Sequence, residues 1–200
     1  NLSFALLNNG RLKEGLEKYE WRWKIPEFVS QKRIFLKPSW DGKKSLKEKR
    51  IFLWSEQGIG DTLNWSSGIL RIKNQAKHCI FECQEKLVPL LKRSFPNIEV
   101  KAEDRSLDLK RVDFDFHLPM GSLYKYFIQE ILEKPKPKKI LIPDPDRVVF
   151  WKERLRSLGK GPFIGLSWKS SNISLLRHQA YTHISEWASI LKIPDITFIN

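Results

Sequence analysis

Ile51-Phe52-Leu53-Trp54-Ser55-Glu56-Gln57-Gly58-Ile59-Gly60-Asp61-Thr62-Leu63 is the stretch whose reading decides the fold. Four consecutive apolar residues bounded by a glycine loop read as a strand buried on both faces. Gly58-Ile59-Gly60 lets the backbone approach a ligand closely, and Asp61 opens a helix predicted to run to about Gln75, with Leu63, Ile69, Leu70 and Ile72 apolar. Where such a loop opens a helix, backbone N–H groups face an anion.

The pattern repeats downstream. Cys79 to Cys83 reads as a second strand, Leu87 to Phe95 as a helix stopped before Pro96, and Ile98 to Lys101 as a third strand. Phe114 to Leu118 reads as a fourth strand, followed by a helix over Ser122 to Leu132. This alternation predicts an α/β domain with a Rossmann-like, doubly wound parallel sheet. Pro135, Pro137, Pro143 and Pro145 mark an irregular crossing. A helix over Asp146 to Leu158 follows, and Phe163 to Trp168 begins a second strand-loop-helix unit. The helix of that unit is expected from Ser185, with Glu186 in its first turn, and the next strand from Ile196.

Upstream, residues 2 to 23 read as a helical hairpin. Asn8-Asn9-Gly10 supplies the turn, with Gly10 suited to a positive φ, and Leu12, Leu16, Tyr19 and Trp23 recur at helical spacing. Residues 24 to 49, with Pro26, Pro38 and Asp41-Gly42, read as a connector, and its basic end, Lys43 to Arg50, as a linker. The expected organisation is a hairpin over 1–24, a connector over 25–49, a first α/β domain over 50–145, a helix and linker over 146–161, and a truncated second α/β domain over 162–200.

Composition narrows the function classes. With 41% hydrophobic and 12% aromatic residues, the 200-residue chain can fill a core and is not a disordered tail. A net charge of +13 favours anionic partners or reflects a solvated, lysine-rich surface. Cys79 and Cys83 lie ~13 Å apart on one strand, too far for a disulfide. No metal-ligand spacing occurs, and no apolar stretch nears the roughly 18 residues of a membrane span. Reduced thiols suggest the cytoplasm. The chain starts at Asn1 and stops just inside an expected strand, so a piece of a longer protein is expected.

Three readings compete for the glycine loop. Dinucleotide binding wants a third glycine where Leu63 stands, although Glu82 could mimic the ribose-binding acid. A P-loop needs a terminal Gly-Lys-Ser/Thr that is absent. A sugar-transfer loop would use Asp61 as general base. An N-cap role for Asp61 needs only its short carboxylate, and both roles can hold together.

Four stretches carry a resemblance. Residues 51 to 63, Pro38-Ser39-Trp40-Asp41-Gly42, Phe81-Glu82-Cys83-Gln84 with Leu87 through Leu91, and Ile164-Gly165-Leu166-Ser167-Trp168-Lys169 resemble, in order and spacing, heptosyltransferase-like enzymes. The hairpin, from Asn1-Leu2-Ser3 through Gly10-Arg11-Leu12-Lys13-Glu14-Gly15 to Tyr19-Glu20, resembles the end of a tetratricopeptide repeat, with Gly15 where alanine is usual. An ordinary hairpin is the plainer reading. Together the chain is closest to tetratricopeptide-repeat proteins bearing a glycosyltransferase domain of that type. The resemblance implies a GT-B fold, an acceptor-binding first domain, a donor-binding second domain, and inverting transfer of a hexosyl or heptosyl group. It implies a nucleotide-sugar co-substrate, a glycan or protein acceptor, no cofactor, no metal, and a possible protein partner on the repeats.

Asp61 matches the proposed base of that family. Glu56, Gln57, Gly58 and Gly60 would line the acceptor side. Glu56 could share the site with Asp61 and raise its pKa, or be solvated. His117, at a strand end where ligands collect, either lines the acceptor pocket or is a satisfied strand-end histidine. Lys169 and Arg177 could meet the leaving diphosphate or be plain exposed cations. His178 and His183 show no partner pattern. The donor half is expected mainly beyond Asn200, so the piece alone is expected to be inactive. The alternative function is a non-catalytic interaction module built on a degenerate transferase. Nucleic-acid binding ranks last, because no recognition helix or RNA-binding aromatic signature occurs.

Overall fold

A computed structural model describes residues 2–29, 31–133, 139–168 and 181–200. The chain divides into two units, Asn1–Ile142 and Pro143–Asn200.

In the first unit, α1 (Leu2–Asn8) and α2 (Leu12–Tyr19) form the hairpin. Gly10, at φ 73°, makes its turn, a conformation that favours glycine. A 3-10 turn, Glu20–Lys24, and the short α3 (Pro26–Val29) lead into the connector. Then come β1 (Arg50–Trp54), α4 (Ile59–Trp65), α5 (Ile69–Lys73), β2 (His78–Cys83), α6 (Val88–Ser94), β3 (Glu99–Ala102), β4 (Phe116–Pro119) and α7 (Met120–Glu133). The four strands are all parallel, in the order β3-β2-β1-β4. That arrangement is α/β and compatible with a Rossmann-like fold.

Strand periodicity sorts the core into two layers. Ile51, Leu53, Cys79, Phe81, Cys83, Phe116 and Leu118 pack with Ile69, Ile72, Leu91, Leu123 and Phe127 of α5, α6 and α7. The alternate residues Phe52, Trp54 and Ile80 pack on the opposite face with Phe114, Trp23 and Phe35. This second face is covered by the connector and by the β3–β4 connection, where sequence periodicity predicted a doubly wound helical cover. Two arginines, Arg33 and Arg111, lie over its rings.

The connector is therefore part of the core. Its Trp40 and Leu46 are buried, and Ser39 bridges to His117 beside β4. Asp41 Oδ1 accepts from the Lys43 and Lys44 N–H groups, and Gly42 turns at φ 77° directly under Tyr126. The helix predicted from Asp61 to Gln75 starts earlier, at Ile59, and is broken by a 3-10 turn at Ser66–Gly68. Gly68 presses against α7, where a Cβ would come within 2.8 Å of Leu123.

In the second unit, α8 (Pro145–Leu158) is capped by Asp144, which accepts from the Asp146 and Arg147 N–H groups. β5 (Phe163–Gly165) pairs in parallel with β6 (Thr197–Ile199). The strand predicted to reach Trp168 ends at Gly165. The helix expected from Ser185 is a 3-10 turn, Ile184–Trp187, followed by α9 (Ala188–Leu191). Its cap is His183, whose Nδ1 accepts from Ser185 N–H at 3.4 Å, a ring nitrogen taking the place of the predicted serine oxygen.

Substituting Gly42→Ala should destabilise the first unit, because the Cβ would sit 2.0 Å from Tyr126 Cδ1 at a left-handed φ. A loss of about 1–3 kcal/mol is expected in urea unfolding. An unchanged midpoint would show that the Asp41-Gly42 turn is not fixed against α7.

Candidate functional site

The chain winds from β1 to β2 and β3 on one side, then returns to place β4 on the other side of β1. The strand order therefore reverses at β1, the position where open parallel sheets bind ligands beyond the strand ends. Ser55 to Gly60 leaves β1 at this point.

Gly58 is the N-cap of α4, with extended backbone. Asp61 is not the N-cap that its position before the predicted helix suggested. It sits one turn in, and its Oδ2 accepts from the Gly58 N–H at 3.0 Å, as the acidic half of a capping box. Asp61 is half-buried, while Gly58 and Gly60 are exposed. Among the described residues, its other oxygen accepts no hydrogen bond.

Gln57 takes a left-handed φ of 63°, uncommon for a residue with a side chain. Two glutamines and a tyrosine hold it there. Its backbone N–H donates to Gln31 Oε1 at 2.9 Å, and its side-chain amide donates to the Tyr19 hydroxyl at 2.6 Å. Its carbonyl accepts from Gln84 Nε2 at 3.3 Å. Gln84 Oε1 in turn accepts from the Thr62 hydroxyl at 2.9 Å. The loop is thus tied to the hairpin, the connector and the end of β2.

The Glu56 side chain turns inward. Its side chain is 0% exposed, and Arg22 of the hairpin grips it through Nε and Nη2 at 3.0 and 2.9 Å. The Gly121 N–H at the start of α7 adds a third bond, so this carboxylate fills an anion position at a helix N-terminus. Burial pushes the Glu56 carboxyl above its usual range, against the downward pull of Arg22 and Gly121. The Arg22 guanidinium also meets Ser122 Oγ at 2.8 Å and Glu20 Oε1 at 2.8 Å, and lies over the Tyr19 and Trp23 rings. Burial acts to raise Glu20, but Arg22, Ser122 and Lys125 outweigh it and hold that carboxyl low.

Glu82, weighed as a ribose-binding acid, is likewise spoken for. It is buried between Arg33 and Arg111, and Asp108 and Asp113 complete the cluster. Both Glu82 carboxylate oxygens are thus bonded by arginines. His117 faces the same side of the sheet, where the register sets it opposite Phe52 and its side chain reaches Trp54. Its ring lies against Phe35, and Nδ1 accepts from Trp54 Nε1 at 3.4 Å. Burial, with the nearby Arg33 cation, lowers its pKa to about 4. His117 is thus a neutral, packed histidine on the face away from α7.

Gln57, Gly58, Gly60 and Asp61 are brought together where the loop after β1 enters α4, while Glu56 turns inward and His117 packs with Phe35 and Trp54 of the opposite core layer. Lys169 and Arg177 lie outside the described residues. Sequence reasoning missed Arg22 and Arg33. Trp21-Arg22-Trp23, a cation set between aromatics, and the in–out alternation of Arg33-Ile34-Phe35-Leu36 were the available signals.

No family model matches the sequence, and no solved structure matches it. The chain is similar to Protein FlbA of Caulobacter vibrioides, 31% identical over 211 aligned positions that cover 98% of this chain and 35% of that protein. The chain thus spans about a third of that relative's length.

Replacing Arg22 with Met should cost about 3–5 kcal/mol in denaturant unfolding, because it strands a buried carboxylate. The double variant Arg22→Met, Glu56→Gln should recover part of that loss, and strictly additive losses would refute the pairing. A second expectation concerns acid. His117 binds its proton at about 4 when folded but near 6.5 when unfolded. Between these values the unfolded state holds more protons, so stability falls as pH drops through the window. Melting curves of His117→Gln should lose less on acidification from pH 6.5 to 4 than those of the unchanged protein. Parallel curves would remove His117 as a contributor.

Proposed function

We propose that this chain is part of a glycosyltransferase of GT-B type, and that Asp61 is the base that activates the acceptor hydroxyl. The observation that carries the reading is the placement of Asp61. It stands on the first turn of α4, just beyond β1 where the strand order reverses, half-buried, with one oxygen fixed by Gly58 N–H. The resemblance of residues 51 to 63 to heptosyltransferase-like enzymes supports the same reading.

In this reaction the acceptor oxygen attacks the anomeric carbon as the bond to the nucleoside diphosphate breaks, inverting that carbon. The hydroxyl proton passes to Asp61, and the diphosphate leaves with the bonding electron pair. Gly58 N–H fixes one carboxylate oxygen and so keeps the side chain aimed. Gln57, Gly58 and Gly60 form the acceptor side. Lys169 and Arg177 are the candidate cations for the leaving diphosphate. The hairpin would end a tetratricopeptide array that binds a protein partner, and unit Pro143–Asn200 would begin the donor domain. No described helix is long and apolar enough to cross a membrane. Both cysteines are free and buried, which fits a cytoplasmic site of action.

One observation favours the second reading, a non-catalytic module. Arg22 of the hairpin and the chain's own Glu56 fill the α7 N-terminus beside the loop.

The two readings separate in the full-length protein. Transfer predicts nucleotide-sugar binding by calorimetry, and turnover read as nucleoside diphosphate released with acceptor. Asp61→Asn and Asp61→Ala should cut turnover by about 10²–10⁴-fold while donor affinity stays unchanged. Turnover retained by both variants removes Asp61 as base. Absence of any nucleotide-sugar binding selects the interaction module.

A further inference from the structure

One oxygen of Asp61 is held by the Gly58 N–H. The aim of that carboxylate therefore depends on where the N–H points, and the N–H belongs to the Gln57–Gly58 peptide. This unit is trans and planar. Whatever fixes the Gln57 carbonyl also fixes the Gly58 N–H on the opposite side of the bond.

Gln84 fixes it. Its Nε2 donates to the Gln57 carbonyl at 3.3 Å, and its Oε1 accepts from the Thr62 hydroxyl at 2.9 Å. A carbonyl only accepts, so the amide nitrogen must face Gln57. Thr62 follows Asp61 in α4 and is fully buried. Its backbone N–H donates to the Gly58 carbonyl at 3.1 Å. One side chain thus joins the peptide before the helix to the residue after Asp61, and Asp61 lies between the two attachments.

The footing of this clamp is rigid. Gln84 directly follows β2, and Cys83 before it is fully buried. Ser55 N–H donates to the Glu82 carbonyl at 2.9 Å, which carries the pairing of β1 and β2 up to the loop. Leu87 N–H donates to the Gln84 carbonyl at 2.9 Å. A side chain set on a strand end holds a neighbouring group more closely than one set on a loop. Gln31 and Tyr19 also hold Gln57. Of the three, Gln84 is the one that bonds both flanks of Asp61.

We propose that Gln84 is the positioning residue of the base, keeping Asp61 on the acceptor hydroxyl through the Gln57–Gly58 peptide and Thr62. This assignment rests on the transfer reading.

Labelling the full chain with nitrogen-15 glycine puts a magnetic-resonance probe on the Gly58 N–H itself. An N–H bonds an ionised carboxylate more strongly than a neutral one, so the Gly58 signal should move on acidification. Asp61→Asn should abolish that movement. Gln84→Met keeps the volume without the hydrogen bonds and should cut the movement about threefold. Thr62→Val should act in the same direction, and the double variant should go little further, because the two groups form one clamp. Gly121, whose N–H meets Glu56, is the internal control and should respond alike in every variant. In the full-length protein, with the nucleotide-sugar that calorimetry shows to bind, Gln84→Met should lower kcat about tenfold. KM for that nucleotide-sugar and its binding stoichiometry should stay unchanged. A Gly58 movement as large in Gln84→Met as in the unchanged chain overturns the assignment. So does a kcat that Asp61→Asn abolishes and Gln84→Met leaves intact. Turnover retained by Asp61→Asn removes the transfer reading itself, and the assignment with it.

Discussion

The buried pair of Arg22 and Glu56 organises the first unit. Arg22 reaches Glu56 across 34 positions and Ser122 across 100. One guanidinium thereby joins the hairpin, the loop after β1 and the start of α7. Removing two such charges from water is unfavourable unless each finds partners. Here the carboxylate has Arg22 and the Gly121 N–H, and the guanidinium has two carboxylates, a hydroxyl and two aromatic faces. Glycine at 121 is part of the bargain, because a Cβ there would meet Glu56 Oε1 at 1.9 Å.

A second arrangement of the same kind secures the other side of the sheet. Helices α5, α6 and α7 cover one face with aliphatic side chains. On the opposite face, irregular chain does that work, and irregular chain cannot satisfy its neighbours through regular backbone bonding alone. Arg33 and Arg111 supply the missing order by bonding Glu82 and lying over Phe52. Because this cover is one chain thick, neighbours of its buried side chains face outward, and Ile34 and Leu36 are exposed beside buried Arg33.

These two clusters also shape the functional surface. Glu56, after β1, and Glu82, in β2, are both buried and paired with arginines. Asp61 differs because α4 begins at Ile59 and carries it past the cap onto the first turn, where, among the described residues, the Gly58 N–H alone hydrogen-bonds it. The left-handed Gln57 sets the direction of that turn. It is held by Tyr19 and Gln31, residues that precede the α/β domain in sequence. The hairpin and connector are therefore structural components of the loop.

Much of the α/β plan was legible in the sequence by itself. The apolar run Ile51 to Trp54, its recurrence at Cys79 to Cys83, and the glycine loop determine parallel strands with crossovers, because period and turn chemistry are local properties. The Gly10 turn and the helical spacing of Leu12, Leu16 and Tyr19 are local in the same sense. What only the tertiary structure decided is where charged side chains point and which of them meet. Nothing within a few residues of Arg22 or Arg33 indicates a carboxylate dozens of positions away. A strand tells Glu82 which face to take but not what waits there. Partner choice for a buried charge depends on long-range packing, and so the same loop that announces the fold conceals that Glu56 turns inward and leaves Asp61 half-buried.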